Sequence, residues 1–350
     1  MPSYDALADL PLTIEDYALD ERSRSFGEFE RITVTVALHG RGETGLGEDV
    51  NYDPEDQRAV LAAGPVLPLA GEWTLDGFSR HLATLDLFPA RPPAYEAGVD
   101  YRRWAYESAA ADLALRQAGR SLGDVLGREP RPLRFGVSLR LGDPPSSEPV
   151  LRRIAAYPGI RFKLDAEPCW DGAFVEALAE TGAVDVVDFK GKYRGTPVDV
   201  PTDPELYRRC AEAFPEAWLE DPDLDDDGAR AALAPHLDRV TWDAPIHSVD
   251  DVDALDHPPR CLNCKPSRFG SWQGLLRFYD TCEERGIALY GGGQSELGVG
   301  RGQIQLLAAL FHPDGPNDVA PSGFDWEEFP EGLPSSPLDP APSPTGFRRE

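Results

Sequence analysis

Positive charge is scarce in this chain: 34 Lys and Arg stand against 61 Asp and Glu, a formal net charge of −27. A protein that neutralises nucleic-acid phosphates needs a concentrated basic surface, and an anionic membrane leaflet repels an acidic protein for the same reason. Long apolar runs are missing as well. No stretch approaches the roughly 20 uninterrupted apolar residues that a membrane span requires, and the stretch MPSYDALADLPLTIEDY lacks the basic-then-apolar order of a signal peptide. The expectation is a cytoplasmic protein with no nucleic-acid and no membrane partner. Cysteines are few: Cys169, Cys210, Cys261, Cys264 and Cys282 are odd in number and scattered, which fits reduced thiols better than a disulfide framework. Cys261 and Cys264 form a CxxC without a second pair or a His partner, which is weak support for zinc.

What is present is an ordinary globular composition, 41% hydrophobic and 27% charged, over 350 residues, enough for one barrel-sized domain and a smaller one. From about residue 134, short strand-like runs alternate with helical patterns: RFGVSLR (134–140), IRFKLD (160–165), VDVVDF (184–189), AWLE (217–220), VTWD (240–243), RCLNCK (260–265), IALYGG (287–292) and a weak DVAP (318–321). Eight such runs separated by helices predict an α/β fold, a closed (β/α)₈-type barrel. Upstream, RITVTVAL (31–38), a Gly-rich turn and the helical stretch 101–119 read as a small α+β domain. The expected division is a capping domain over 1–130, a barrel over 131–326 and a Pro-rich tail over 327–350, disordered or laid along the surface.

Active sites of such barrels lie at the C-terminal ends of the strands, so polar residues that close an apolar run carry weight. Here Lys163 follows IRF, Asp188 follows VDVV, Glu220 follows AWL, Asp243 follows VTW and Lys265 follows RCLNC. Separations of 32 and 23 residues between the three carboxylates each fit one helix and its return, which puts them on adjacent strands. Hard divalent cations take such oxygen ligands, Mg²⁺ above all with a few carboxylates plus water and substrate. Taken singly, each acid also reads as a helix N-cap. A strand-end lysine serves as a proton-transfer base when its pKa is lowered, or as a Schiff-base nucleophile.

These residues, in this order, resemble the enolase superfamily, in its mandelate racemase/muconate-lactonizing branch with o-succinylbenzoate synthase and dipeptide epimerase. GETGLGED (42–49) resembles the Gly-rich turn of that family's capping domain, and ESAAADLALRQAGRSLGDVLG (107–127) its helix before the barrel. Arg161-Phe-Lys163 resembles the K-x-K of the second strand, LEDP (219–222) the fourth-strand element, LNCKPSRFGSW (262–272) the sixth, and GGGQSELGVGRGQIQLLAAL (291–310) the last signature. The resemblance implies a TIM-type (β/α)7β barrel with an N-terminal α+β cap. It also implies Mg²⁺ held by Asp188, Glu220 and Asp243, and Lys163 and Lys265 as the acid/base pair. Arg161, Lys190 and Glu296 become candidates for substrate binding.

The chain departs from the pattern in two places. Arg161 stands at the first lysine of K-x-K, where guanidinium cannot act as a base. Asp188-Phe189-Lys190 puts a cation where the third-strand D-x-N has an amide, a cation placed to pair with a ligand carboxylate or to contact an anionic substrate. Asp165-Ala166-Glu167 is the competing register for that element, and it leaves two strands between successive ligands. Segments 18–28 (with Arg22 and Arg24) and 48–57 are candidate specificity loops, and 192–203 a candidate lid.

The expected reaction is Mg²⁺-dependent abstraction of a proton α to a carboxylate, through a metal-stabilised enolate. A small-molecule carboxylate substrate would then be racemised, epimerised or dehydrated. The competing readings are a Schiff-base lyase on a plain barrel and a catalytically silent barrel. A homo-oligomer fits the barrel class, with no residue pattern that specifies an interface.

Overall fold

A computed structural model describes residues 2–26, 29–196 and 198–350, without the side chains of residues 26 and 29. The first part contains α1 (Asp5–Ala8), β1 (Pro11–Ile14), β2 (Asp16–Phe26), β3 (Phe29–Gly40), β4 (Glu43–Asp49), α2 (Pro54–Ala63), β5 (Gly71–Thr74), α3 (Leu75–Leu82), α4 (Ala97–Gln117) and α5 (Leu122–Leu126). Strands β2, β3 and β4 form an antiparallel meander, and β1 pairs with β5. The Gly-rich run 42–49 is explained by what lies on it. A Cβ at Gly45 or Gly47 would come within 2.2 and 2.0 Å of the Ala109 and Ala105 carbonyls, so α4 packs backbone to backbone on β4 through its own alanine face.

The second part alternates β6 (Gly136–Arg140), α6 (Glu148–Ala156), β7 (Arg161–Asp165), α7 (Gly172–Glu180), β8 (Val184–Asp188), α8 (Pro204–Ala213), β9 (Trp218–Glu220), α9 (Asp227–Leu233), β10 (Val240–Thr241), α10 (Val249–Asp253), β11 (Cys261–Cys264), α11 (Trp272–Arg285), β12 (Ala288–Gly291) and α12 (Val299–Phe311). The helices start where the sequence supplies a cap: Asp171, Asp203, Asp226, Ser248 and Ser271 each accept a hydrogen bond from a backbone N–H of the first turn.

Strands β6 to β10 are parallel neighbours in sequence order, and β11 pairs in parallel with β12. Single hydrogen bonds complete the circle. Asn263 N–H donates to the Trp242 carbonyl (3.0 Å), Asp318 N–H to Gly291 (2.7 Å) and Gly136 N–H to Asn317 (2.8 Å), so residues 317–318 stand between β12 and β6 as the eighth stave. The fold is thus a TIM-type barrel with an N-terminal α+β cap, and the short eighth stave explains why DVAP is weak in sequence.

The Pro-rich segment after 327 forms no helix or long strand, yet it is anchored at several points. Leu338 bridges Leu133, Gly346 bridges Ser121, and Phe347 is buried against Trp272 with ring centroids 4.9 Å apart. The Phe347 N–H and the Arg348 guanidinium both bond Asp112 of α4 (2.7 and 2.6 Å). The segment makes no core of its own and fills the seam between cap and barrel. Among the described residues, no helix is long and apolar enough to cross a membrane.

Closure depends on Asn317, which is fully buried. Its carboxamide oxygen accepts from Gly291 N–H (2.6 Å), and its amide donates to the carbonyls of Arg134, His312 and Gly315 at 2.9 to 3.0 Å. Asn317→Ala leaves these buried groups unpaired. It is expected to cost about 3 kcal/mol or more of unfolding free energy in a urea titration, whereas a loss under about 1 kcal/mol would show that the barrel does not close through this residue.

Candidate active site

Side chains on the barrel strands alternate between the helical layer and the barrel axis. Phe162, Leu164, Val187, Leu219 and Leu262 join the main core, while Val186, Cys261 and Tyr290, with Trp218 against them, form a separate inner cluster. The residues two positions further along those inner rows are the ionic ones. Asp188 follows Val186, Glu220 follows Trp218 and Asn263, then Lys265, follow Cys261.

Lys163, Asp188, Glu220, Asp243 and Lys265 meet at this end of the barrel, all of them buried. Lys163 Nζ donates to Glu220 Oε1 and lies 3.1 Å from Asp188 and 3.8 Å from Asp318. Lys265 Nζ donates to Asp243 Oδ2 at 2.9 Å. Gly292 makes room for it, since a Cβ there would sit 2.8 Å from Lys265 Cε. Lys190 joins the cluster. Its backbone N–H donates to Asp188 Oδ1 (3.0 Å), its ammonium to Asp188 Oδ2, and Asp165 Oδ1 lies 3.3 Å from the same nitrogen.

Arg161 stands apart. It opens β7 at the other end of the strand from the site, where its guanidinium bonds Asp185 and the Gly182 carbonyl. The K-x-K-like pair is therefore divided between the two ends of the barrel. Glu296 lies beyond β12, with Oε1 accepting from Gln294 N–H (2.7 Å) and Oε2 3.4 Å from Arg301. It walls a cavity of about 250 Å³ together with Arg24, Ser138, Ser295, Arg301 and Asp318. Asp318, 3.8 Å from Lys163, connects that cavity to the ionic cluster.

Several residues join the site without having been singled out in the sequence. Arg268 is buried and donates to both the carbonyl and the carboxylate of Asp243. Its signal is its position three residues after Lys265, in the turn that follows β11. Tyr193, from the candidate lid, donates its hydroxyl to Asp243 Oδ2 (2.8 Å) and accepts from Arg268 (3.0 Å). Tyr290 donates to Glu220 Oε2 at 2.5 Å, a contact implied by its inward parity on β12. Asp221, next to Glu220, accepts from the N–H groups of Asp243 and Ala244, both at 2.8 Å, and so fixes one strand end to the next. In the lid itself, Arg194 and Thr202 pair with Asp223, while position 197 lies outside the described residues. The candidate loop 18–28 is largely strand β2, with positions 27 and 28 outside the described residues.

Glu48 anchors the cap over the barrel mouth. Its carboxylate accepts from the N–H groups of Leu297, Gly298 and Gly300 at 2.7 to 3.0 Å, at the amino end of α12. A buried carboxylate there faces the positive end of the helix dipole.

The electrostatics follow from burial. Burial opposes charge on Lys163, yet Glu220 and Asp188 outweigh it and hold the ammonium well above its usual pKa. Burial likewise disfavours the Asp188 and Asp243 carboxylates. Lys190 and Lys163 nonetheless hold Asp188 below its usual range, and Arg268 and Lys265 do the same for Asp243. Asp221, buried beside Asp243 and Asp188, is pushed up to about 7. Lys190, Asp221 and Ser295 all carry positive φ (55°, 48° and 55°), a strained backbone state that clusters at functional sites.

Among the described residues, oxygens of Asp188, Glu220 and Asp221 lie within 4.8 Å of one another. Such a buried, all-oxygen donor set fits a hard divalent cation. The expected third ligand, Asp243, is spoken for by Lys265, Arg268 and Tyr193, while Asp221 is tied to backbone N–H groups.

Two domain models match the chain, Domain of unknown function (DUF8230) N-terminal domain over residues 5–125 and its C-terminal domain over 129–326. An N-succinylamino acid racemase of Thermus thermophilus is 29% identical over 87% of this chain and 82% of its own length. An o-succinylbenzoate synthase of Geobacillus stearothermophilus is 32% identical over 64% of this chain, which spans 60% of that enzyme. Among solved structures, a dipeptide epimerase from Methylococcus capsulatus complexed with Mg superposes with a TM-score of 0.67 at 21% identity, over 91% of this chain and 92% of the other. An enolase-superfamily protein from Listeria innocua gives 0.64 at 20% identity, over 91% and 88%. The chain therefore belongs to the DUF8230 family; in sequence it is similar to N-succinylamino acid racemases and o-succinylbenzoate synthases, and its fold is that of solved enolase-superfamily proteins.

Proposed function

We propose that this is a cytoplasmic enzyme that removes a proton α to the carboxylate of a small substrate, leading to racemisation, epimerisation or dehydration, with a divalent cation, Mg²⁺ by preference, as cofactor. The observation that carries the reading is the pairing of two lysines with one carboxylate cluster: Lys163 on Glu220 and Asp188, Lys265 on Asp243. Asp188 and Glu220 would hold the cation together with Asp243, whose oxygens would first have to be released by Lys265 and Tyr193, while Asp221, within 4.8 Å of the other two, fixes the backbone of Asp243. When bound, the cation supplies positive charge that polarises the substrate carboxylate and stabilises the charge left as the proton departs.

The residues of the chain divide the remaining work. In the resting arrangement Lys163 is an ammonium, a proton donor, and it becomes a base once its hold on Glu220 and Asp188 is loosened. Lysines on two sides of a planar carbanion suit delivery of a proton to the face opposite its removal, or charge stabilisation while a β-hydroxyl leaves. Arg268 and Tyr193 keep Asp243 oriented. The cavity beside Asp318 is lined by arginines, serines and carboxylates, so the distal part of the substrate is polar and compact. A Schiff-base lyase would leave the carboxylates paired with these lysines without a role.

Incubation with N-acyl amino acids, dipeptides and hydroxy acids in D₂O, followed by NMR, is expected to show α-proton exchange. Lys163→Ala and Lys265→Ala should each slow it by about 10² to 10⁴. Exchange at the full rate in both variants would contradict the proposal. Tyr290→Phe removes the hydroxyl that holds Glu220 Oε2 and is expected to weaken Mg²⁺ binding by about tenfold. Unchanged affinity would make Tyr290 a packing residue.

A further inference from the structure

The cation at position 190 is placed as a competitor for the metal. Both oxygens of Asp188 are capped by Lys190, Oδ1 by the backbone N–H and Oδ2 by the ammonium. The left-handed backbone at Lys190, with φ of 55°, folds the residue back over the carboxylate that precedes it by two positions. A short amide side chain in that place would leave Asp188 Oδ2 to Lys163, 3.1 Å away, whereas a lysine at 190 delivers a second full charge to the same oxygen. Asp188 belongs to the oxygen cluster suited to a divalent cation, and an ammonium seated on Oδ2 competes electrostatically with a metal ion for that oxygen.

A second acceptor lies within reach. Asp165, at the end of β7, has its Oδ1 3.3 Å from Lys190 Nζ, and that oxygen is buried without a hydrogen-bond partner. The surroundings of Nζ also include the Tyr193 ring, with its centroid 5.3 Å away, the like charge of Lys163 and the Glu220 carboxylate. A buried ammonium needs a carboxylate partner, and a displaced Lys190 finds one in Asp165 with little movement.

We propose that Lys190 is a tethered counter-cation of the metal site: it neutralises Asp188 while the site is empty of metal and passes to Asp165 when a divalent cation binds. This rests on the reading of the carboxylate cluster as a metal centre. Metal affinity in this chain is then set by exchange between a built-in and a free cation. Asp165 acts as a positioning residue for Lys190 without touching the metal.

The test is calorimetric titration of metal-stripped protein with Mg²⁺ alone and with Mn²⁺ alone. Lys190→Met removes the cation without supplying an amide ligand, and Lys190→Asn restores a short polar side chain. Both are expected to bind metal about tenfold or more tightly than wild type. Should the Met variant fail to fold, as judged by thermal melting, Lys190→Asn carries the test. Asp165→Asn should weaken binding several-fold in the wild-type background and have little effect in the Lys190→Asn background, because the acceptor matters only when there is an ammonium to receive. Affinity in the Lys190 variants equal to or below that of wild type overturns the proposal. An equal effect of Asp165→Asn in both backgrounds reduces Asp165 to through-space charge and overturns the hand-over. Heat absent from wild type and from both Lys190 variants would overturn the metal-centre reading along with it, whereas binding in wild type left unchanged by Lys190 substitution overturns the counter-cation alone.

Discussion

Asp188, Glu220, Asp221 and Asp243 are buried together at one end of the barrel, and unpaired carboxylates do not survive out of water. Lys163, Lys190, Lys265 and Arg268 supply the matching positive charge, and most of the site's architecture serves that pairing. The strand alternation turns these groups to the axis, Gly292 clears space for Lys265, and the strained backbone at Lys190 and Asp221 brings an ammonium and a carboxylate to where sterically ordinary geometry would not. The same pairing sets the chemistry. Under the proposed function, a lysine held charged by carboxylates is the proton donor, and it would turn into a base as those carboxylates acquire another cation.

The cap and the tail bear on the site through specific contacts. Glu48 ties the cap to the amino end of α12, directly after Glu296 and the wall of the polar cavity. Arg31 donates to the carbonyls of Gln294 (2.7 Å) and Ser295 (3.3 Å), so the cap also fixes the backbone of that wall. Phe347 and Arg348 fasten α4 to the barrel from the other side, through Trp272 and Asp112. The wall of the polar cavity is in this way fixed from the cap as well as from the barrel.

Much of this was legible in the sequence where local physics dominates. The strand runs and the helical patterns between them predict the barrel, and polar residues closing apolar runs point to Lys163, Asp188, Glu220, Asp243 and Lys265 as neighbours. What the sequence could not convey is how the long side chains resolve their charges. Arg161 has the parity to share a mouth with Lys163, yet its guanidinium finds Asp185 at the opposite end of the barrel. For Lys190 the sequence leaves open a ligand carboxylate or an anionic substrate as its partner, and the left-handed backbone, which has no sequence signal here, turns it onto Asp188. Arg268, Tyr193 and Asp221 escaped notice because their partners lie in other strands and loops, where spacing along the chain carries no signal. Phe347 shows the same limit in an apolar residue, since a Pro-rich run suggests no buried anchor.

The central claim is that the carboxylates form a divalent metal centre whose neighbours are the acid/base lysines. Calorimetric titration of metal-stripped protein with Mg²⁺, run beside Asp243→Asn, tests it most directly. One-site binding in the wild type that is lost in the variant is the expected result. Binding that survives Asp243→Asn undiminished would contradict the account by placing the cation elsewhere, and no binding in either would leave the ion pairs as the whole purpose of the cluster.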